Sequence, residues 1–322
     1  LYIQNMPKVC IVLATYNGEK YLAQMLDSLL SQTRKADIVI AVDDGSKDSS
    51  AEILEQYAGK LPMQIVKHAE NLGHRAAFTH GLEQAIKQLA PSDLIAPADQ
   101  DDIWVPYKLE IMERELINDP SSPSLVFGDA QIINSEGKTT HDSWRALANI
   151  SLNTTMKHQI AGINHVNGCL SLFKASLLKT ILPIPEGVTV HDRWIAMIAE
   201  KNGGIKAIPE RVIMYRIHGE NAVGCKVETS MSKTLQIQQI WVTTILENLT
   251  LLKLDHKEIT FAQKLLEITK QRMTKSFLPF EFFWIYTNRE FLFLKAPFLK
   301  TMKRVLFSLV GLPLAKKLWG KD

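Results

Sequence analysis

This chain of 322 residues is short of several features that would place it quickly. It has three cysteines, Cys10, Cys169 and Cys225, with no C-x-x-C pair and no zinc spacing, which argues against a disulfide framework and a structural metal. A reducing compartment is the natural expectation. No stretch reaches the ~20 apolar residues needed to span a bilayer. No basic stretch followed by an apolar segment marks a secretory leader, so a cytoplasmic protein is expected. Charge of one sign is also scarce: 37 Lys+Arg stand against 34 Asp+Glu, and a net charge of +3 is too small to argue for nucleic acid. A G-x-x-x-x-G-K-[ST] run is missing, which counts against a P-loop enzyme, and so is a G-x-G-x-x-G after the first apolar run, which counts against dinucleotide binding. What is present is a 46% hydrophobic composition, enough for a sizeable core.

From residue 9 to about 127, short β-rich runs (9–14, 38–42, 64–67, 94–98, 125–127) alternate with helical patterns such as 21–32, where Leu22, Leu26, Leu29 and Leu30 share a face. That alternation predicts βαβ units and a mostly parallel sheet flanked by helices. Ser46 and Asp48 offer caps for a helix near 50–57, and Pro106 suits the start of one running to 118. Further on, the pattern predicts a strand at 169–173, helices at 174–182 and 192–201, and short strands at 206–208 and 212–215. Beyond Gly224 it reads as helical throughout. The expected division is a catalytic domain at 6–226 and a C-terminal helical region at 227–322.

Ligands of an open parallel sheet bind outside the carboxyl ends of its strands. Three polar clusters follow strands directly: Thr15-Tyr16-Asn17-Gly18, Asp43-Asp44-Gly45-Ser46 and Asp99-Gln100-Asp101-Asp102. Each alone is readable as a turn or cap. Together they gather uncompensated carboxylates that repel one another, which a divalent cation or a set of ligand donors would relieve. Carboxylate oxygens suit Mg²⁺ or Mn²⁺, and the D-x-D spacing of Asp99 and Asp101 lets both converge on one ion. The ligand class this suggests is a nucleoside diphosphate held by metal.

The ordered set Ala14-Thr15-Tyr16-Asn17, Asp43-Asp44-Gly45-Ser46, Asn71-Leu72-Gly73 and Asp99-Gln100-Asp101-Asp102 resembles glycosyltransferase family 2, inverting enzymes of the GT-A (Rossmann-like) fold. His191-Asp192-Arg193-Trp194 and Tyr215-Arg216-Ile217-His218-Gly219-Glu220-Asn221 resemble its bacterial rhamnosyltransferases of surface polysaccharide assembly. The resemblance covers about 7–224. It implies that Thr15, Tyr16, Asn17, Asp43, Asp44, Asn71, Arg75, Asp99 and Gln100 contact the nucleotide sugar, that Asp101 and His218 hold Mn²⁺ or Mg²⁺, and that Asp192 is the catalytic base. Cys169 is expected to be a packed small residue, and Arg216 joins Arg75 as a candidate phosphate partner. Arg193 and Ala77 depart from common family residues, which bears on specificity. Beside this activity, with dTDP-rhamnose the favoured donor, stand a glucosyl- or galactosyltransferase using a UDP-sugar, a sugar-1-phosphate nucleotidyltransferase, and a non-catalytic nucleotide-sugar or glycan-binding protein. The single Gly in 15–20 counts against the nucleotidyltransferase.

Nine aromatic residues fall between Phe277 and Phe298, and from Ser276 onward eight basic residues face three acidic ones. Leu299, Met302, Leu306, Leu309 and Val310 share a helical face, with Lys300, Lys303 and Arg304 off it. Such a basic amphipathic segment suits a membrane interface, here the inner face of the cell membrane, where a glycan or polyprenyl-diphosphate-linked acceptor would reside. The competing expectation is a helical bundle, packed on the catalytic domain or on a second copy in a homo-oligomer.

Overall fold

A computed structural model of the chain describes residues 6–150, 155–219 and 230–319. In order, these form β1 Val9–Thr15, α1 Leu22–Leu30, β2 Ile38–Asp43, α2 Ser50–Ala58, β3 Met63–Lys67, α3 His74–Ala85, β4 Leu94–Asp99, β5 Ile103–Trp104, α4 Lys108–Ile117, β6 Leu125–Ile133, β7 Thr139–His141, α5 Trp144–Ala148, α6 Met156–Ile160, β8 Ser171–Lys174, α7 Leu178–Ile181, α8 His191–Lys201 and β9 Ile205–Arg216. Six helices follow: α9 Met231–Glu247, α10 His256–Thr274, α11 Phe282–Thr287, α12 Arg289–Leu292, α13 Phe298–Ser308 and α14 Leu312–Trp319. Glu220, Asn221, Cys225 and the expected boundary near Lys226 lie outside the described residues.

Two compact units emerge, one of Leu1–Leu147, Val166–Ile184 and Val190–Cys225, the other of Ala148–His165, Pro185–Thr189 and Lys226–Asp322. The first is built on one sheet of order β3-β2-β1-β4-β8-β6-β9-β5, with β7 on β6. β1 runs parallel to β2 and β4, and β2 to β3. These inner strands are apolar almost without a break, because helices cover both sheet faces and leave no side for water. The other half departs from the expected parallel pattern: β8 is antiparallel to β4 and β6, and β5 to β9, so the sheet is mixed. The runs at 206–208 and 212–215 are one strand, β9, which pairs parallel to β6 with register shifts near Asp129. The segment predicted as a helix at 174–182 holds only a 3₁₀ turn, Ala175–Leu177, and the single turn of α7.

Local signals read as caps serve longer-range contacts. Ser46 Oγ accepts the Asn17 N–H, and Asp48 accepts the Glu19 N–H as well as that of Ser50 at the start of α2. Gly45 has φ +75°, and a Cβ there would lie 2.6 Å from the Glu70 carbonyl carbon, so only glycine allows the β2 turn to pass under the 70–73 loop.

The second unit is helical. Asp255 and Glu258 form a reciprocal capping box on α10. Its core joins Ile268, Leu278, Ile285, Val305 and Leu309. Val305 in α13 and Leu309 just after it turn inward while Phe298, Leu299, Leu306 and Phe307 stay exposed, so the apolar side of the helix is covered in part and open in part.

Candidate active site

Three strand ends build the rim. At the end of β1 the Thr15 hydroxyl donates to Gln100 Oε1 at 2.6 Å, the Tyr16 N–H donates to the same oxygen at 2.8 Å, and Gln100 Nε2 donates to the Tyr16 carbonyl at 3.0 Å. Gln100 thus ties the turn after β4 to the turn after β1. Asn17 (φ 47°) accepts the Lys47 N–H and ties β1 to the turn after β2.

Asp44 is buried. Its Oδ1 accepts from the Leu72 N–H (2.9 Å) and lies 2.7 Å from His68 Nδ1, while Oδ2 accepts from the Gly73 N–H (2.8 Å). The Asn71-Leu72-Gly73 segment is therefore wrapped around a carboxylate. Asp43 points into the fold, and its Oδ1 finds no partner among the described residues.

After β4 three carboxylates crowd together. Asp99 Oδ1 lies 3.4 Å from His74 Nε2; burial opposes its charge, but the His74 contact outweighs it and holds the carboxyl below the usual range. His74 is raised in turn, its burial overcome by Asp99 and by the charges of Asp192 and Asp101. Asp101 meets His218 Nε2 at 2.8 Å, yet burial and the Asp99 charge push it up. Asp102 accepts the Arg216 N–H at 3.1 Å and is raised well above the usual range by burial and then by Asp101 and Asp99. Arg216 is buried, and its side chain donates to the Asp101 carbonyl and to Gln24. Behind the carboxylates sits Lys108, fully buried, donating to the Cys169 carbonyl at 2.6 Å and lying 3.3 Å over the Trp104 ring; burial pushes it down to about 7.

Asp99, Asp102 and Cys169 could bring ligand atoms within 4.8 Å of one another. Burial pushes the Cys169 thiol well above its ordinary value, in keeping with a packed side chain, and the carboxylates supply the oxygen donors of the group. The charge deficit around Asp101 and Asp102 fits a hard divalent cation.

Opposite stands α8. Asp192 occupies its first turn, where the helix dipole favours a carboxylate, and its Oδ2 accepts the Gly168 N–H at 3.3 Å. His191 is buried, stacked on Phe78 at 3.8 Å, and burial followed by the His74 charge pushes it down to about 3, so its ring is neutral. Gly168 is required here, since a Cβ would lie 2.8 Å from His191 Nε2.

A cavity of about 270 Å³ joins these parts. Thr15, Tyr16, Asp44, Asn71, Asp99, Gln100, Asp101 and Asp192, all expected from the sequence, line it together. Asn17, Asp43, Arg75 and His218 do not: Asn17 is engaged with 46–47, Arg75 reaches the Ile184 carbonyl at 3.5 Å, and His218 meets Asp101 at 2.8 Å. Sequence reasoning missed His74, His68 and Lys108. The His after Asn71-Leu72-Gly73 opens a helix beneath the D-x-D and could have been flagged; Lys108 gave no signal.

A sequence profile described as Glycosyl transferase family 2 matches residues 10–182. An uncharacterized glycosyltransferase of Nostoc sp. is 26% identical over 222 residues, 66% of this chain and 66% of its own length. The amylovoran biosynthesis glycosyltransferase AmsE of Erwinia amylovora is 33% identical over 126 residues, 38% of this chain and 44% of its own length. The matched stretch thus spans two thirds or less of these curated relatives. Among solved structures, S. aureus TarS 1-349 in complex with UDP-GlcNAc aligns with TM-score 0.59 at 17% identity, over 88% of this chain and 80% of its own. The mannosyltransferase PcManGT from Pyrobaculum calidifontis, in complex with GDP-Man and Mn²⁺, aligns with TM-score 0.53 at 17% identity, over 99% and 89%. Both likenesses show a shared fold.

Proposed function

The chain belongs to glycosyl transferase family 2, with a GT-A fold, and on that premise we propose an inverting, metal-dependent enzyme that moves a sugar from a nucleoside diphosphate to a hydroxyl of a growing bacterial surface glycan. The favoured donor is dTDP-rhamnose, with UDP-glucose or UDP-galactose the alternatives. The observation that carries the reading is that Asp44, Asp99, Asp101 and Asp192 open onto one cavity.

In it, Asp44 receives the base, Thr15 and Gln100 hold the rim that borders the nucleotide, and Asp99 and Asp101 lie toward the sugar diphosphate. Asp101, Asp99 and Asp102, with His218 behind, would hold Mn²⁺ or Mg²⁺. When bound there, such an ion would supply Lewis-acid stabilisation for the departing diphosphate. Asp192 takes the proton from the acceptor hydroxyl as that oxygen attacks the anomeric carbon, and one displacement inverts the centre with no covalent intermediate. Neutral His191 on Phe78 gives Asp192 an apolar, water-poor flank.

An acceptor carried on polyprenyl diphosphate would place the enzyme at the inner face of the cell membrane, and the second unit offers a surface for that. Phe280 is 95% exposed, Phe283 74% and Leu299 75%, while exposed Lys295, Lys300, Lys303, Lys316 and Lys317 are opposed by one exposed acid, Glu290, among the described residues after 276. No described helix is long and apolar enough to cross a membrane, so attachment would lie in the interface.

The test is donor turnover with acceptor and Mn²⁺. Asp192→Asn should lower kcat by about 10²–10⁴-fold, the size of a general-base contribution, while keeping the thermal shift given by nucleoside diphosphate plus Mn²⁺. Asp101→Asn should lose the Mn²⁺-dependent part of that shift. Full turnover by Asp192→Asn would refute the mechanism.

A further inference from the structure

Behind Asp44 lies a chain of imidazoles that the catalytic reading does not use. His68 Nδ1 is 2.7 Å from Asp44 Oδ1, and His68 Nε2 is 2.8 Å from His80 Nδ1 on α3, the two rings meeting edge to face at 84°. The His68 side chain is 7% exposed, and its position is pinned by its own N–H donating to the Asp43 carbonyl. His80 is half-buried.

The polarity of this chain follows from its inner end. The N–H groups of Leu72 and Gly73 can only donate, so both Asp44 oxygens face them as acceptors. His68 must then place its proton on Nδ1 to meet Oδ1. With neutral rings its Nε2 is the acceptor and His80 donates from Nδ1; a doubly protonated His68 would donate at both ends, and in either case Asp44 accepts. Each hydrogen bond fixes the next, and a carboxylate that could turn about its last torsion is held in one orientation. Oδ1 is fully used by two donors. Oδ2 takes one and so keeps acceptor capacity, and Asp44 borders the cavity.

We infer that His68 and His80 are positioning residues for nucleobase selection: the Asp44–His68–His80 chain holds Asp44 as an obligate acceptor and so favours bases with a ring N–H at the pairing edge. Uracil, thymine and guanine present such a donor. Cytosine and adenine present a ring nitrogen lone pair instead, which would face the carboxylate lone pair with no hydrogen between them. The inference rests on the cavity being the nucleotide-sugar site.

The experiment is calorimetric titration of the full chain, with Mn²⁺, by UDP, dTDP and GDP against CDP and ADP. Wild type should prefer the best of the first group over the second by roughly 10–100-fold, the range for an unpaired buried polar group. His68→Ala and His80→Ala should shrink that ratio toward one through weaker binding of the favoured nucleotide. His68→Asn, whose amide N–H can stand in for Nδ1–H, should restore most of it, a rescue that a packing role would not give. An unchanged ratio in folded His68→Ala overturns the inference; where that variant does not fold, an unchanged ratio in His80→Ala does so. Equal binding of both groups by wild type also overturns it while the nucleotide site stands, whereas binding of none overturns the site and the inference with it.

Discussion

Gly168→Ala probes whether the position of Asp192 is set by the turn that faces it. The new Cβ would lie 2.8 Å from His191 Nε2, 3.3 Å from His191 Cε1 and 3.5 Å from Asp192 Cβ. Ordinary contact begins near 3.4 Å, so the His191 ring must retreat by about 0.6 Å. It cannot do so freely, because it is stacked on buried Phe78 at 3.8 Å with 18° between the rings. Part of the strain then passes to the first turn of α8 and to Asp192, and the 3.3 Å hydrogen bond from the Gly168 N–H opens. Overpacking of this kind costs about 1–3 kcal/mol, or roughly 2–4 °C of Tm for each kcal/mol in a unit of this size. A ~1 Å displacement of a catalytic group costs about 100-fold in rate, so the smaller shift here should lower kcat by about 10–100-fold. Nucleotide binding should be preserved, because Asp44, Thr15 and Gln100 hold their places through bonds that do not involve Gly168. The assay pairs a thermal melt with kcat at saturating donor and with nucleotide affinity. A lowered Tm with kcat within twofold of wild type would refute the coupling between Gly168 and Asp192.

The parts of this site that sequence reasoning reached are those whose signal is local. β1, β2 and β4 are unbroken apolar runs that end in polar residues, and the pattern locates both the strand and the rim where it stops. Asp99 and Asp101 were legible for the same reason, each lying next to such an end, whereas Asp192, at a helix start, stood out from a cap only through the family resemblance. What was not legible depends on pairing between distant segments. The antiparallel β8 and the fusion of two short runs into β9 are choices of register that no local pattern encodes. Lys108 reads as an ordinary helix cation, and its burial involves the Cys169 carbonyl, which approaches from 61 residues away, a contact no local pattern encodes. Ser46 and Asp48 read as caps because capping chemistry is local, yet their oxygens serve Asn17 and Glu19 across the rim. In α13 the periodicity located both the helix and its apolar face, but not how far that face is covered: Val305 and Leu309 fill a core that also needs Leu278 and Ile285, while Leu299 and Leu306 stay exposed.

Two further outcomes test features outside the rim. Lys300→Glu with Lys303→Glu should weaken sedimentation with anionic vesicles by at least about fivefold per charge, since each basic residue near such a surface contributes roughly 1 kcal/mol; no sedimentation of wild type with anionic vesicles would sink the membrane reading. Lys108→Met should change how stability responds to alkali. The amine sits at about 7 in the fold against 10.5 for an unperturbed lysine. Below pH 7 it is protonated in both states, and folding bears the whole cost of burying the charge. Between about 7 and 10.5 only the unfolded chain keeps the proton, so the cost fades as pH rises and is gone above 10.5. The displacement sets an upper limit of about 5 kcal/mol on this gain. Tyr215, raised by burial, titrates in either protein and largely cancels, whereas Cys169, also raised by burial, interacts with the Lys108 charge, so the comparison is made in a Cys169→Ala background. Urea unfolding of Cys169→Ala with and without Lys108→Met from pH 7 to 10.5 should therefore give a stability difference that grows in favour of the protein that keeps Lys108. A flat difference would mean that Lys108 holds its proton in the fold as tightly as in the unfolded chain, and that the Cys169 carbonyl and the Trp104 face offset the desolvation in full.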